Sequence, residues 1–405
     1  MSGCPGGPAS SLEVLRAFLK LGLTSFGGPV AHIGYFRQEF VVRRRWLDDA
    51  AFADLMGLCQ FLPGPASSQL GFSIGLMRAG FLGGLAAWTG FTLPSAIALM
   101  LLAFGADAAL QGSSAVASIT MGLGHGLKLV AVAIVAQAVW SMARTLCPDL
   151  QRAAIAIMAA VAVSADVSSM MQIAVLPCGG LLGLWFCRAP TPASASRLAA
   201  PVSRAVGTMS LAVFALLLVG LPLLRGWHSA ALFDAFYRSG ALVFGGGHVV
   251  LPLLREAFVA SGWVGDDVFL AGYGAAQAVP GPLFTFASYL GAVAAPASHR
   301  VAGALLGLAG IFLPGMLILV GALPFWDQFR VRADAQAFMR GVNAAVVGLL
   351  GAALYHPIWT SSVNTAADVV VALAGFVLLT VWRAPPILIV GLGASAGLVL
   401  TRPWP

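Results

Sequence analysis

Hydrogen-bonding side chains of this sequence are concentrated beside four places where glycine and proline interrupt apolar stretches. The interruptions are Phe26-Gly27-Gly28, Pro63-Gly64-Pro65, Phe244-Gly245-Gly246-Gly247 and Pro280-Gly281-Pro282. The donors are Lys20, Thr24, Ser25, Gln60, Ser67, Ser68 and Gln69 around the first two, and Arg238, His248, Gln277, Thr285 and Ser288 around the last two. Proline breaks a helix and glycine lets the backbone turn, so each interruption predicts the end of a helix.

A helix that begins inside apolar surroundings can bind an anion at its first turn. Its first N–H groups lack acceptors within the helix, and the helix dipole adds a partial positive charge of about half a unit. Donors without carboxylates beside them suit a tetrahedral oxyanion that must bind and leave again. The alternative is that the interruptions are kinks at packed helix crossings. Their recurrence at matched positions favours a substrate-binding or permeation site.

Four ionisable residues near the interruptions each allow two interpretations. Lys20 and Arg238 are candidate cations of the permeation path, but their long side chains can also reach the headgroups. Asp54 and His248 are candidates for proton coupling. For Asp54 the solvated start of a helix is the favoured interpretation, since Ala271 occupies the matched position.

An internal repeat relates the two halves of the chain. Phe18-Leu19-Lys20-Leu21-Gly22 recurs as Phe236-Tyr237-Arg238-Ser239-Gly240, and the spacing to the next Phe-Gly-Gly is the same. Further matches join Trp46 to Trp263, Gln60 to Gln277, Pro63-Gly64-Pro65 to Pro280-Gly281-Pro282, Gly90–Pro94 to Gly310–Pro314, and Trp140 to Trp359. Such order does not arise by chance, so the sequence predicts two related structural units.

The composition is that of a membrane protein. Of 405 residues, 59% are hydrophobic and only 9% are charged, against about 25% charged in soluble domains. Uncharged runs, such as the one between Arg78 and Asp107, can each hold a membrane-crossing helix of about 20 residues. The net charge of +7 is carried mostly at the ends of these runs, so it reports topology and indicates no nucleic-acid partner. The cysteines form no CxxC pair, and we expect neither a metal nor another cofactor.

Loop charges predict that the two halves have opposite orientations. Arg43-Arg44-Arg45 follows the first interruption, whereas the matched loop of the second half ends in Asp266-Asp267. Cations mark the cytoplasmic side, so matched loops lie on opposite sides of the membrane. We therefore expect an all-α polytopic membrane protein. Its predicted parts are a tail (1–11), a first repeat (12–187), a loop with a linking helix (188–230) and an inverted second repeat (231–401). The interrupted segments are either re-entrant half-helices or full crossings.

These residues resemble the chromate ion transporter (CHR) family, in its long-chain form with two domains. The resemblance rests on Leu21–Pro29 with His32 and Tyr35, Arg44–Leu47, Gln60–Pro65 with Ser67–Gln69, Gly90–Pro94, Phe244–His248 and Gln277–Pro282. It implies a bacterial inner-membrane protein that exports chromate and confers chromate resistance, with sulfate as the competing look-alike anion.

Energetics agree in sign with export. Moving one charge across 100 mV is worth about 2.3 kcal/mol, so an inside-negative membrane favours expelling a dianion by about 4.6 kcal/mol, a ratio of roughly a thousandfold. Export driven by the potential or by a proton gradient therefore needs no ATP, and the sequence has no Walker A motif. A sulfate or other oxyanion transporter or exchanger is the alternative. An intramembrane enzyme is disfavoured, because the sequence has no HExxH motif and its GxSxG spacings lack the partners of a nucleophile–base pair. The oligomeric state stays open, a homo-oligomer included.

Overall fold

The protein is helical throughout the part of the chain that its structure describes. A computed structural model describes residues 10–25, 28–110, 114–165, 169–188, 202–244, 250–329 and 332–400. All regular secondary structure in these ranges is helical, and none of it is strand. The predicted all-α architecture is thereby confirmed.

The described residues of the first half form helices α1 to α7. They are α1 (Ser11–Thr24), α2 (Gly28–Phe36), which continues as a π-helical turn (Arg37–Arg43), α3 (Asp49–Phe61), α4 (Ala66–Leu110), α5 (Ser114–Leu146), α6 (Leu150–Ala165) and α7 (Ser169–Phe186). Helix α4 is kinked at Ala79 and Gly80, whose backbone is not helical. Helix α8 (Arg204–Gly220) and a 3-10 turn (Leu221–Leu224) occupy the segment predicted to link the halves.

The second half repeats this order with shorter pieces. They are α9 (His228–Ala241), α10 (Val250–Arg255), a π-helical turn (Glu256–Ala260), α11 (Asp266–Ala276), a 3-10 turn (Leu283–Thr285), α12 (Phe286–Ala294), a 3-10 turn (Ala297–His299), α13 (Arg300–Ala322), a 3-10 turn (Leu323–Phe325), α14 (Trp326–Phe329), α15 (Ala333–Ala353), a π-helical turn (Leu354–Trp359), α16 (Thr360–Ser362), α17 (Ala366–Thr380) and α18 (Pro386–Leu400).

Five helical segments of the described chain are long and apolar enough to cross a membrane. They are Ala66–Gly105, Gly122–Leu146, Arg204–Leu224, Ala297–Phe325 and Ala333–Ser362. A hydrocarbon core of about 30 Å needs roughly 20 helical residues, which each segment supplies. The protein is therefore a multi-pass membrane protein, as predicted.

Each half packs its last two helices against a long helix of the other half. Helices α17 and α18 pack on α5, and α6 and α7 pack on α15. Close approaches join Gly397 to Gly122 and Gly341 to Gly179, where an added Cβ would meet the facing carbonyl oxygen. Gly122 and Gly341 occupy matched positions of the repeat. Small residues let the helix backbones touch, so the two halves are interlocked by equivalent contacts.

Both ends of the broken first-half segments lie together in space. Glu13, near the start of α1, pairs with Arg44 at 3.5 Å. The guanidinium carbons of Arg44 and of Arg78, within α4, each lie 5.3 Å from the centre of the Trp46 ring. At the start of the second half, the ring of His228 lies 5.5 Å from that of Trp263, the residue that the repeat matches to Trp46. In each half, the chain that follows the second short helix therefore lies close to the start of the first.

Candidate anion site at the crossed helix breaks

Two reciprocal hydrogen bonds join the breaks of one half to those of the other. The Gly64 N–H donates to the Val243 carbonyl oxygen at 2.7 Å, and the Gly281 N–H donates to the Ser25 carbonyl oxygen at 2.9 Å. Both glycines have a positive φ, 122° and 108°, which side chains other than glycine rarely adopt. Each Pro-Gly-Pro turn is thus hydrogen-bonded to the residue immediately before the Phe-Gly-Gly segment of the other half.

Each Pro-Gly-Pro turn also packs on a long helix of the opposite half. A Cβ at Gly64 would lie 2.9 Å from Gly315 Cα in α13, and a Cβ at Gly281 would lie 2.8 Å from Ser95 Oγ in α4. The amide nitrogen of Gln69 donates to the Pro63 and Gly315 carbonyl oxygens, both at 2.9 Å. Gln69 thus connects the Pro63-Gly64-Pro65 turn to α13.

New helices begin at these breaks inside the protein. Helix α2 begins at Gly28, α4 begins at Ala66 after Pro65, and a 3-10 turn leads from Pro282 into α12. Ser67 and Ser68 lie buried in the first turn of α4. The matched Thr285 is also buried, but its hydroxyl donates to the Pro282 carbonyl at 2.7 Å within its own turn. Ser288 is occupied as well, since its hydroxyl donates to the Ala96 carbonyl at 2.9 Å.

Several buried polar atoms near the breaks have no hydrogen-bond partner among the described residues. They are Ser25 Oγ, His32 Nε2, Ser68 Oγ, Gln69 Oε1 and Gln277 Nε2. Burying an unpaired polar atom costs free energy, so such atoms are rare in packed protein. Four of them belong to groups that can donate, those of Ser25, His32, Ser68 and Gln277, as a site for a hydrogen-bond acceptor requires, whereas Gln69 Oε1 can only accept.

The sequence analysis named His32 only among the residues that carry the family resemblance and did not include it in the candidate site. The residue lies in α2, one turn after the first break, and is fully buried. Its position behind Phe26-Gly27-Gly28 was the available signal.

The two predicted cations are each held by a carboxylate. Lys20 Nζ lies 3.8 Å from Glu39 Oε2, and the Lys20 side chain is 53% exposed. Arg238 donates to Asp234 Oδ1 at 2.8 Å and to the Leu218 carbonyl at 2.7 Å, and its side chain is 34% exposed. The carboxylates come from unmatched positions. The placement of both cations along a permeation path stays a prediction.

The remaining candidate residues differ in burial. Asp54 is buried, whereas Asp48 and Asp49 at the start of α3 are exposed. Gln60 and Thr24 are exposed, and Phe244, Pro280 and Gln277 are half-buried. Phe26, Gly27, Gly245, Gly246, Gly247 and His248 lie outside the described residues.

The fold and the crossing define a multi-pass helical membrane protein with polar helix breaks in its interior. The family model described as chromate transporter matches residues 12–184 and 230–398. The chromate transport protein of Pseudomonas aeruginosa is 31% identical over 351 residues, covering 85% of this chain and 80% of the relative. That of Cupriavidus metallidurans is 28% identical over 84% of this chain and 81% of the relative. The probable chromate transport protein of Synechococcus elongatus is 27% identical over 97% of this chain and 96% of the relative.

This chain belongs to the chromate transporter family. No solved structure matches it.

Proposed function

We propose that this protein is a secondary transporter that exports chromate across the bacterial inner membrane and confers chromate resistance. The main support is the pair of reciprocal hydrogen bonds from Gly64 to Val243 and from Gly281 to Ser25. These bonds bring the helix breaks of both halves together inside the protein. The chromate substrate is inferred from relatives that bear that name and align over most of their length.

The proposed architecture is two inverted repeats whose broken segments are re-entrant. The equivalent contacts of Gly122 and Gly341 support the repeat. Re-entrance is supported by the meeting of Arg44 and Arg78 at Trp46. It is also supported by length, because the 14 residues of α1 extend about 21 Å, short of a hydrocarbon core of about 30 Å. Half-helices of this length reach the midplane and return.

Chromate binding at the crossing would use groups that carry no full charge. The donors would be the first-turn N–H groups of α4, which carry the partial positive charge of the helix end, and the buried Ser68 hydroxyl. Neutral donors bind a dianion without holding it permanently. An inside-negative potential then drives the loaded anion outward, by about 4.6 kcal/mol at 100 mV.

Sulfate is the competing substrate to test, since it shares the charge and tetrahedral shape of chromate. The test is uptake of radiolabelled chromate into everted membrane vesicles that contain the protein, with and without a pH gradient and with added sulfate. We expect uptake above that of vesicles lacking the protein, because uptake into everted vesicles corresponds to export from the cell.

A gain from the pH gradient would indicate proton coupling, and a gain from the potential alone would indicate electrogenic export. Uptake equal to that of protein-free vesicles would refute chromate export. Sulfate transport without chromate transport would replace the substrate while leaving the scaffold interpretation intact.

A further inference from the structure

His32 is buried with one ring nitrogen unpaired. The residue is 0% exposed. Its Nδ1 lies 3.4 Å from Ser67 Oγ in the first turn of α4, and its Nε2 has no hydrogen-bond partner among the described residues. With Ser67 donating its hydroxyl to Nδ1, the neutral imidazole carries its proton on Nε2, where it is a free donor.

The imidazole stands at the crossing of the two halves. It lies within reach of the Ser25 backbone, whose carbonyl accepts the Gly281 N–H at 2.9 Å. Its ring packs edge-on against Phe91, with ring centres 5.1 Å apart, and the Phe91 carbonyl borders Gly281. The Ser25 hydroxyl is buried beside it, also without a partner.

These two donors have no counterpart at the matched positions of the second half. The repeat matches Ser25 to Val243 and His32 to Val250, which cannot donate from their side chains. Val243 and Val250 are fully buried, so at these two matched positions the second half contributes apolar side chains.

We propose that His32 Nε2 and the Ser25 hydroxyl are direct ligands of the transported tetrahedral oxyanion. The assignment rests on the proposed function and names the side chains that would confer affinity. A neutral imidazole donates strongly to an oxyanion yet adds no full charge, so the anion can dissociate.

The test separates the two ring nitrogens by substitution. In His32→Gln the amide nitrogen falls near the position of Nε2, whereas in His32→Asn it falls near Nδ1. We expect His32→Asn to raise the KM for chromate uptake about tenfold or more, the fold-change of a lost hydrogen bond to a charged group. His32→Gln should stay within about threefold of the wild type, and Ser25→Ala should raise KM as His32→Asn does.

Uptake rates are normalised to detergent-extracted protein that elutes as one species, and His299→Asn at an exposed turn is the matched control. An unchanged KM in His32→Asn, or equal losses in His32→Asn and His32→Gln, would overturn direct donation by Nε2. If the His32→Asn protein cannot be purified, an unchanged KM in Ser25→Ala would overturn the proposed site instead. Wild-type vesicles without chromate uptake would instead refute the proposed function.

A second, independent observation is that matched contacts of the two halves are closed on one side only. Gly274 of α11 packs on the backbone of Leu127 in α5, whereas a Cβ added at the matched Gly57 of α3 would meet, among the described residues, only the Trp326 ring, at 3.9 Å. Lys128 of α5 further binds Asp267 of α11, with Nζ to Oδ1 at 2.8 Å.

The ion pairs at the starts of α3 and α11 show the same asymmetry. The repeat matches Arg37–Asp49 to Arg255–Asp266, and both are hydrogen-bonded, at 2.9 and 2.8 Å. The Arg37 side chain is 53% exposed, whereas that of Arg255 is 22% exposed. The predicted topology places Arg44 on the cytoplasmic side, so the more loosely packed region around α3 faces the cytoplasm.

We infer that Lys128–Asp267 is the outer gate, closed in this cytoplasm-facing state of the proposed exporter. The matched residues, Val347 and Ala50, carry no charge, so no equivalent ion pair can form between those two positions. Lys128→Gln should therefore favour the outward-facing state.

The assay labels a single cysteine, placed at Gln277 in a cysteine-free background, with an impermeant thiol reagent from outside. We expect Lys128→Gln to raise the labelling rate several-fold, and the exchange of Lys128→Asp with Asp267→Lys to restore the slow rate. Breaking the exposed pair by Arg37→Gln is the control and should leave labelling unchanged. A labelling rate at 277 that Lys128→Gln does not change would overturn the gate, whether or not chromate is transported.

Discussion

Replacing Gly64 or Gly281 by alanine tests whether the crossed breaks are the working site. Alanine keeps the N–H that crosses to the other half but must adopt a φ of 122° or 108°, a conformation that costs about 1–3 kcal/mol outside glycine. The new Cβ at position 64 would also lie 2.9 Å from Gly315 Cα, closer than packed carbons approach. Together these terms amount to about 3 kcal/mol, or roughly a hundredfold shift away from the crossed arrangement.

A loss of that size is smaller than the about 5–15 kcal/mol that stabilises a typical fold. We therefore expect both variants to reach the membrane and to elute as single species, with chromate uptake per molecule lowered at least tenfold. Gly64→Leu and Gly281→Leu should abolish chromate resistance.

Two glycines provide controls that separate strain from the site. Gly262 has a φ of +78° and nothing within 4 Å of an added Cβ, so Gly262→Ala introduces strain alone. Gly34 has open space around it and no positive φ, so Gly34→Ala introduces neither. Uptake by Gly64→Ala and Gly281→Ala at the rate of Gly262→Ala would show that the breaks are packing kinks, and the reasoning would fail.

Three further predictions concern charge. Single cysteines placed at Arg44 and Asp266 should react with an impermeant thiol reagent from opposite faces of the membrane, and labelling from the same face would contradict the inverted repeats. Lys20→Gln and Arg238→Gln should each raise the KM for chromate about tenfold, with Lys20→Arg milder because the charge survives. An unchanged KM in both Gln variants would remove these cations from the path. Glu39→Gln should lower the KM and slow turnover, and a raised KM would contradict the pairing with Lys20.

Local sequence signals were sufficient to predict the breaks. Proline and glycine act on their own backbone, so Pro63-Gly64-Pro65 located the end of α3 at Phe61 and the start of α4 at Ala66. The repeat made the second break predictable as soon as the first was found.

The partners across the breaks could not be predicted in the same way. Gly64 donates to the carbonyl of Val243, and a backbone acceptor leaves no mark in side-chain type. Asp54 was expected at a solvated helix start and is buried, because the packing around α3 depends on residues distant in sequence. His32 could likewise be recognised as a candidate ligand only from the structure, which places Ser67 beside it.

The pairing of Lys20 with Glu39 makes physical sense for a transporter that must release its anion. A dianion about 6 Å from a lone cation, at an effective dielectric of about 20, is attracted by about 5 kcal/mol. A carboxylate beside that cation, about 9 Å from the dianion, repels it by about 4 kcal/mol on the same scale. If Lys20 lines the permeation path as predicted, the net attraction of about 1–2 kcal/mol would guide the anion without trapping it, and Asp234 would have the same effect on Arg238. Removing either carboxylate would then strengthen retention of the anion, since the cation would act on the dianion unopposed. Under the proposed function, selective binding would then fall to the neutral donors at the crossing.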